Sequence, residues 1–168
     1  MGGLRGLLVG FVLFFFFSVG AVAQMVITEI MYDPQGGSDG ISSEFVEIFT
    51  GEYVNLSGYL VADEAARSGT RSNLTELQTY PSGYALVIVN SSDFSGNLSG
   101  IPASLYFTAK IGKGLNDKGD SVFLFLPNGT PLTAVNYTAL SAAKDGNSLQ
   151  LINGTWQAAP PTPGLPNE

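Results

Sequence analysis

Short apolar runs separated by turn-rich segments alternate along most of the chain. The first two, VITEIM at 26–31 and EFVEIF at 44–49, carry Glu29 and Glu47 inside the run, and a Gly-, Asp- and Ser-rich segment separates them. Further runs lie at 59–62, 74–80, 84–89, 105–108, 121–126, 133–137 and 148–152. No run keeps a helical period for three turns, so the pattern predicts eight or nine short strands in an all-β antiparallel sandwich or barrel.

Several segments predict individual elements. The continuously apolar run YALVIV at 84–89 predicts a central strand. Asn-Gly at 128–129, between two apolar runs, predicts a hairpin because this pair adopts positive φ readily. Residues 62–66 could form one helical turn, and the Pro-rich chain beyond Trp156 is expected to be irregular. Trp156 itself is expected to cover the open side of the sandwich, with a docking anchor as the alternative.

Residues 1–23 have the features of a secretory signal peptide. Arg5 precedes an apolar segment from Leu7 to Phe17, and Ala21-Val22-Ala23 forms an A-x-A cleavage site. Cleavage there leaves a single domain of residues 24–168. The alternative is an uncleaved membrane anchor, although the apolar stretch at 7–23 is short for a bilayer span. In both cases the domain lies outside the membrane, secreted or at the cell surface.

The composition excludes several classes of chemistry. The chain contains no cysteine and no histidine, so it cannot form a disulfide or a His-dependent nucleophile, and a zinc site is disfavoured. Acid–base chemistry would fall to carboxylates, lysine or tyrosine. No cofactor is expected, except that oxygen ligands could hold calcium.

The net charge of −7 disfavours a nucleic-acid partner. Loss of Arg5 with the leader makes it −8. Only 12% of the residues are charged, and Gly, Ser, Thr and Asn are plentiful. This balance is typical of a turn-rich extracellular β domain.

Six motifs in order resemble the lamin-tail domain family, the immunoglobulin-like module of nuclear lamins and many secreted prokaryotic proteins. They are IxEIMYDP, EFVEI, VNLSGYLVAD, LNDKGDSVFLFLPNGTPLTAVNY, GNSLQ and TPGLPN, and they cover about 26–167. The resemblance implies an immunoglobulin-like β-sandwich that serves as a binding or adaptor module without fixed catalytic residues. It also suggests the stand-alone secreted type of lamin-tail domain found in prokaryotes. The glycosylation sequons described next fit an archaeal source.

Seven N-x-[S/T] sequons mark candidate glycosylation sites. Ten asparagines, with Ser or Thr at about one position in six, predict roughly 1.6 sequons by chance. The alternative is that Asn, Ser and Thr coincide in loops. The candidate asparagines are Asn55, Asn73, Asn90, Asn97, Asn128, Asn136 and Asn153.

Acidic residues offer two further candidate sites. Glu29 and Glu47 would lie abreast if their strands are neighbours, and paired carboxylates can hydrolyse glycosides. Cross-strand solvation or a hydrogen bond to a loop amide is the structural alternative. Loop carboxylates could instead hold calcium, although no EF-hand spacing is present and Asx residues often form turns. The calcium candidates are Asp33, Asp39, Asp63, Asp117 and Asp120.

Three lysines, Lys110, Lys113 and Lys118, lie near the string GKGLNDKGD. The string lacks the spacing of a phosphate-binding loop. A weak basic patch for DNA or acidic glycans remains open, against the net charge.

These observations favour an exported, non-catalytic binding or structural module that engages an envelope protein or a glycan. The alternatives are an accessory module or weak hydrolase acting on extracellular polymers, and an extracellular DNA-binding module. A membrane is a partner only if the leader is retained.

Overall fold

The computed structural model describes residues 25–34, 44–89, 100–138 and 146–168 of the protein. These residues contain eleven β-strands. The strands are β1 (Val26–Met31), β2 (Phe45–Phe49), β3 (Leu60–Asp63), β4 (Ser72–Asn73), β5 (Thr75–Gln78), β6 (Tyr84–Ile88), β7 (Ser104–Phe107), β8 (Gly119–Phe125), β9 (Pro131–Thr138), β10 (Ser148–Ile152) and β11 (Thr155–Ala159). A 3₁₀ turn at Glu64–Ala66 follows β3.

The strands are arranged in two sheets packed face to face. The large sheet has seven strands in the order β11-β10-β1-β2-β6-β7-β5, and the small sheet has the order β4-β3-β8-β9. Ile30 and Val46 of the large sheet and Val122 and Leu124 of the small sheet belong to one buried apolar cluster. Because alternate strand residues point to opposite faces, this inner cluster leaves a second, outer face on the large sheet. The predicted immunoglobulin-like β-sandwich is confirmed.

Two details of the sequence prediction are wrong. The described residues contain eleven strands rather than eight or nine, because β4 has only two residues and β11 occupies part of the segment expected to be irregular. In addition, β6 and β7 pair in parallel, whereas every other described pair is antiparallel. Parallel pairing requires a crossover between neighbours, which an alternation pattern does not reveal.

The predicted local elements are otherwise present. The run at 84–89 forms β6, an interior strand of the large sheet. The turn around Gly129, with a φ of 83°, joins β8 to β9. Trp156 lies on β11, half-buried against the inner cluster. The helical turn is capped by Asp63, whose Oδ1 accepts a hydrogen bond of 2.7 Å from the Ala66 amide.

The first strand, β1, and the penultimate strand, β10, are neighbours in the large sheet. Glu29 of β1 lies opposite Gln150 of β10 on one side and opposite Glu47 of β2 on the other. A β-bulge interrupts β1 between Ile27 and Glu29. This arrangement places three polar side chains abreast in the middle of the sheet.

Candidate binding site

Glu29 and Glu47 form a fully buried carboxylate pair on the outer face of the large sheet. They are cross-strand partners, as predicted for neighbouring strands, and both are 0% exposed. Val46 and Ile48, which flank Glu47, point into the inner cluster, so Glu47 points away from it. The outer face must therefore have a cover of its own.

Residues 160–168, here called the C-terminal strap, provide that cover. The Thr162 amide donates a 3.1 Å hydrogen bond to Glu29 Oε1, and the Gly164 amide donates a 2.7 Å hydrogen bond to Glu47 Oε2. The Leu165 amide donates to the Thr162 carbonyl at 2.9 Å, which closes a turn with Gly164 at a φ of 81°. Proline at 163 and glycine at 164 are the residues that a type II turn prefers.

Side chains of the sheet complete the environment of the pair. Thr28 Oγ1 donates to Glu47 Oε1 at 2.7 Å, and Ser148 Oγ and Gln150 Nε2 donate to Glu29 Oε1. Glu29 Oε2 and Gln150 Oε1 are buried without a hydrogen-bond partner among the described residues. The ion pair found in these residues, Arg67–Glu64, involves neither carboxylate of the pair.

Burial raises the pKa of both carboxyl groups. The pKa of Glu47 rises to about 8, mainly through desolvation and further through the nearby Glu29 charge. Burial also raises the pKa of Glu29, although hydrogen bonds from Ser148 and Thr162 oppose the change. Two buried carboxylates abreast resist simultaneous ionisation, so the pair retains a proton near neutral pH.

This geometry does not suit hydrolysis by the pair. A glycosidase needs both carboxyl groups in contact with the substrate. Here the strap covers both groups, and their oxygens receive hydrogen bonds from Thr162 and Gly164. The arrangement instead anchors the strap to the sheet, which is the loop-amide alternative raised by the sequence.

Beside the strap, an open groove of about 420 Å³ lies on the same outer face. We call it the outer groove. Phe49 and Tyr84, cross-strand partners on β2 and β6, contribute two rings with centroids 5.1 Å apart and planes inclined by 55°. Phe49 is 38% exposed. The groove is lined by Thr28, Phe49, Tyr84, Leu151, Ile152, Asn153, Pro166, Asn167 and Glu168.

The strap also fixes the rim of the outer groove. Asn167 Nδ2 donates to the Thr28 carbonyl at 2.7 Å, and Asn167 Oδ1 accepts from Thr162 Oγ1 at 3.2 Å. Among the residues that the structure describes, no lysine or arginine lines the groove, whereas Glu168 does. Burial and the charge of Glu47 raise the pKa of Tyr84. The groove therefore combines aromatic rings, amides and negative charge.

The calcium candidates do not converge in the structure. Both carboxylate oxygens of Asp63 accept backbone hydrogen bonds, from the amides of Ala66 and Lys113. Asp120 Oδ1 accepts from the Glu64 and Ser121 amides. Asp33 is half-buried, Asp117 is exposed, and Asp39 lies outside the described residues. Within those residues, no group of three or more Asp, Glu, His or Cys could hold a metal ion.

Five of the seven candidate glycosylation sites lie in the described residues, and all five asparagines are exposed. They are Asn55, Asn73, Asn128, Asn136 and Asn153, whereas Asn90 and Asn97 lie outside the described residues. Exposure is required for modification. Whether the sequons are used stays a prediction.

The three lysines lie in and around one loop, and all three are exposed. The Lys113 amide binds Asp63, and a Cβ at Gly112 would overlap Asp63. Lys110 interacts electrostatically with the partly buried Glu44. The loop therefore packs against acidic residues, and their proximity reduces the positive electrostatic potential around the three lysines.

In a comparison with known families, the Lamin Tail Domain family matches residues 18–139, well over half of the chain. The chain belongs to the lamin tail domain family. Lamin tail domains are non-enzymatic and immunoglobulin-like, which agrees with the two-sheet architecture. No curated protein and no solved structure matches the chain.

The strap and the last two strands lie beyond the matched residues of the lamin tail domain. The two strands nevertheless complete the large sheet, and residues 151–153 and 166–168 line the outer groove. No helix in the described ranges is long and apolar enough to cross a membrane.

Sequence reasoning missed the outer groove and the strap. Phe49 reads as an ordinary strand-face aromatic, because a period-2 pattern does not show whether such a side chain is covered. The segment Thr162-Pro163-Gly164 carries a clear turn signal. That signal does not say what the turn contacts, and Gly164 and Glu47 are 117 positions apart.

Proposed function

We propose that this lamin tail domain is an exported, non-catalytic binding module of the cell surface that engages another envelope protein or a glycan. The outer groove is the observation that carries the proposal. It presents an exposed aromatic ring beside amide and carboxylate groups, on a rigid sheet fixed by the strap. Exposed aromatic side chains in a preformed concavity are typical of binding sites.

Several observations support a role without catalysis. The chain has no histidine or cysteine, and the only paired carboxylates raised by the sequence are sealed under the strap. The signal-peptide pattern at 1–23 supports export. The stand-alone secreted type of prokaryotes or archaea is part of the proposal, as is a surface role outside the membrane.

Replacement of Phe49 tests the proposal. The full chain is immobilised and exposed to separated protein and polysaccharide fractions of the envelope of its own cells, and retained material is quantified. We expect Phe49→Ala to reduce retention of one defined component about tenfold or more, the usual effect of losing an aromatic anchor. Tyr80→Ala is the matched control, because Tyr80 is 40% exposed but does not line the groove.

Two results would contradict the proposal. Equal retention by the Phe49→Ala and Tyr80→Ala variants would remove the groove from the binding surface. Release of soluble fragments from an envelope polymer, abolished by Glu47→Gln, would instead make the protein a hydrolase.

A further inference from the structure

The proposed function leaves the ligand class of the outer groove open, and three features of the groove restrict the ligands that could bind there. The first feature is the size of the groove. A volume of about 420 Å³ falls within the roughly 300–1,000 Å³ range of small-molecule sites. A stable protein interface needs on the order of 1,000 Å² or more of buried surface, most of which would have to lie outside the groove.

The second feature is the exposed aromatic ring of Phe49. The face of an aromatic ring carries negative electrostatic potential, so it attracts weakly positive C–H groups. The C–H groups on one face of a pyranose ring meet this requirement. Tyr84, inclined by 55° to Phe49, gives the floor a second aromatic surface at an angle.

The third feature is the charge and hydrogen-bonding capacity of the rim. Asn153 and Glu168 are exposed, and an amide beside a carboxylate can serve several hydroxyl groups, since the amide both donates and accepts. Among the described residues no cationic side chain lines the groove, whereas the exposed Glu168 carboxylate does. That carboxylate disfavours phosphate, sulfate and uronate groups through like-charge repulsion.

From these features we infer that the outer groove binds a neutral sugar ring of an external glycan, stacked on Phe49 and hydrogen-bonded by Asn153 and Glu168. The inference rests on the proposed function, because it names the ligand of the same groove. A glycan attached to Asn153 itself has the same chemistry but would occupy the rim from within the chain.

The test uses the protein produced in a host without N-glycosylation, so that Asn153 carries no sugar. Calorimetric titration and amide chemical shifts are measured with neutral hexose and N-acetylhexosamine oligosaccharides, and with uronate and sulfated oligosaccharides of equal length. We expect at least one neutral oligosaccharide to bind, with little dependence on salt, and the anionic set to bind at least tenfold more weakly.

Substitutions locate the site. Phe49→Ala is expected to weaken neutral-sugar binding at least tenfold, whereas Phe49→Trp retains it because the larger ring keeps a stacking face. Tyr80→Ala is expected to leave it unchanged. Thermal melts of all three variants show whether each remains folded, and Phe49→Trp keeps the test informative if Phe49→Ala does not fold.

The outcomes separate this inference from the proposed function. If no neutral oligosaccharide binds while an envelope protein is still retained through Phe49, the sugar inference is overturned and the binding module stands. Sugar binding that survives Phe49→Ala places the sugar elsewhere and also overturns the inference. If the unglycosylated chain binds no neutral sugar, and the protein from its own cells carries sugar only as a glycan attached to Asn153, the external ligand is overturned.

Discussion

At the scale of single residues, the buried glutamates show how a fold can retain acidic groups without cations. Burial disfavours the charged forms of Glu29 and Glu47, their oxygens accept hydrogen bonds from the strap and the sheet, and no ion pair among the described residues involves either group. Glu29 Oε2 has no hydrogen-bond partner among the described residues, so no hydrogen bond to this oxygen offsets the cost of burying a charge. The pair therefore favours the protonated form, and stability depends on pH.

Glu47→Gln is predicted to change the pH dependence of stability. In the wild type, folded Glu47 has a pKa of about 8 against 4.5 for an unperturbed glutamate, so the folded state binds more protons between these values. Its contribution to the free energy of unfolding is fully present below pH 4.5 and is lost as pH rises through about 8. The decline within this window is at most about 1.4 kcal/mol per pH unit for one proton.

Denaturant unfolding at pH 5, 7 and 8.5 measures this effect as the difference between wild type and variant. Glutamine resembles the protonated acid and does not titrate, so we expect the Glu47→Gln variant to gain on the wild type as pH rises. The exposed Glu52, changed to Gln, is the matched control for the loss of a carboxylate. A stability difference between wild type and Glu47→Gln that does not change with pH would show that the pair does not titrate in this range.

At the scale of elements, the strap depends on one glycine. Gly164 has a φ of 81°, and a Cβ there would lie 3.1–3.2 Å from atoms of Ile101, Pro102 and Ala103. The segment that includes these residues covers another part of the outer face, where Ala103 packs with Phe45 and Leu86. The strap is thus wedged between the sheet and a neighbouring loop.

Gly164→Ala is predicted to destabilise the protein more than Gly58→Ala does. Gly58 has a nearly identical φ of 80° with nothing within 4 Å, so its substitution carries only the backbone strain, about 1 kcal/mol. The crowding at Gly164 should add about 1–2 kcal/mol, through displaced neighbours and a weakened hydrogen bond to Glu47. Equal losses of unfolding free energy in chemical denaturation would show that the strap is not tightly packed.

Local sequence signals predicted the elements well and their assembly poorly. The continuous apolar run at 84–89 predicted an interior strand correctly, because a strand buried on both faces carries apolar residues at successive positions. β11 was missed although Asn153-Gly154 marks a tight hairpin, with φ values of 50° and 77°, because Gln157 and the following prolines weaken the apolar pattern. The pairing of neighbouring strands predicted that Glu29 and Glu47 lie side by side. It could not predict that the strap covers them, since the strap lies over 100 positions away in the sequence.

At the scale of the whole molecule, export and glycosylation of the chain are the predictions that test the proposed role at the cell surface. Intact-mass and N-terminal analysis of the protein from its own cells should find a chain that starts at Gln24 and carries glycan-sized additions. We expect occupancy at exposed sequons such as Asn55 and Asn73, because the modifying enzyme needs access to the side chain. A chain that starts at Met1 without additions would indicate a membrane-tethered module with unused sequons.

The pairing of β1 with both β2 and β10 has a consequence for the order of folding. Glu29 contacts Gln150, 121 positions later, and Thr162, 133 positions later. Contacts of such separation form slowly, and here β1 cannot bury its glutamate until Thr162 has been synthesised. During synthesis β1 therefore stays without its partner β10 and without the strap until residues 148–168 emerge, and a factor that shields β1 over that interval would raise the yield of folded protein.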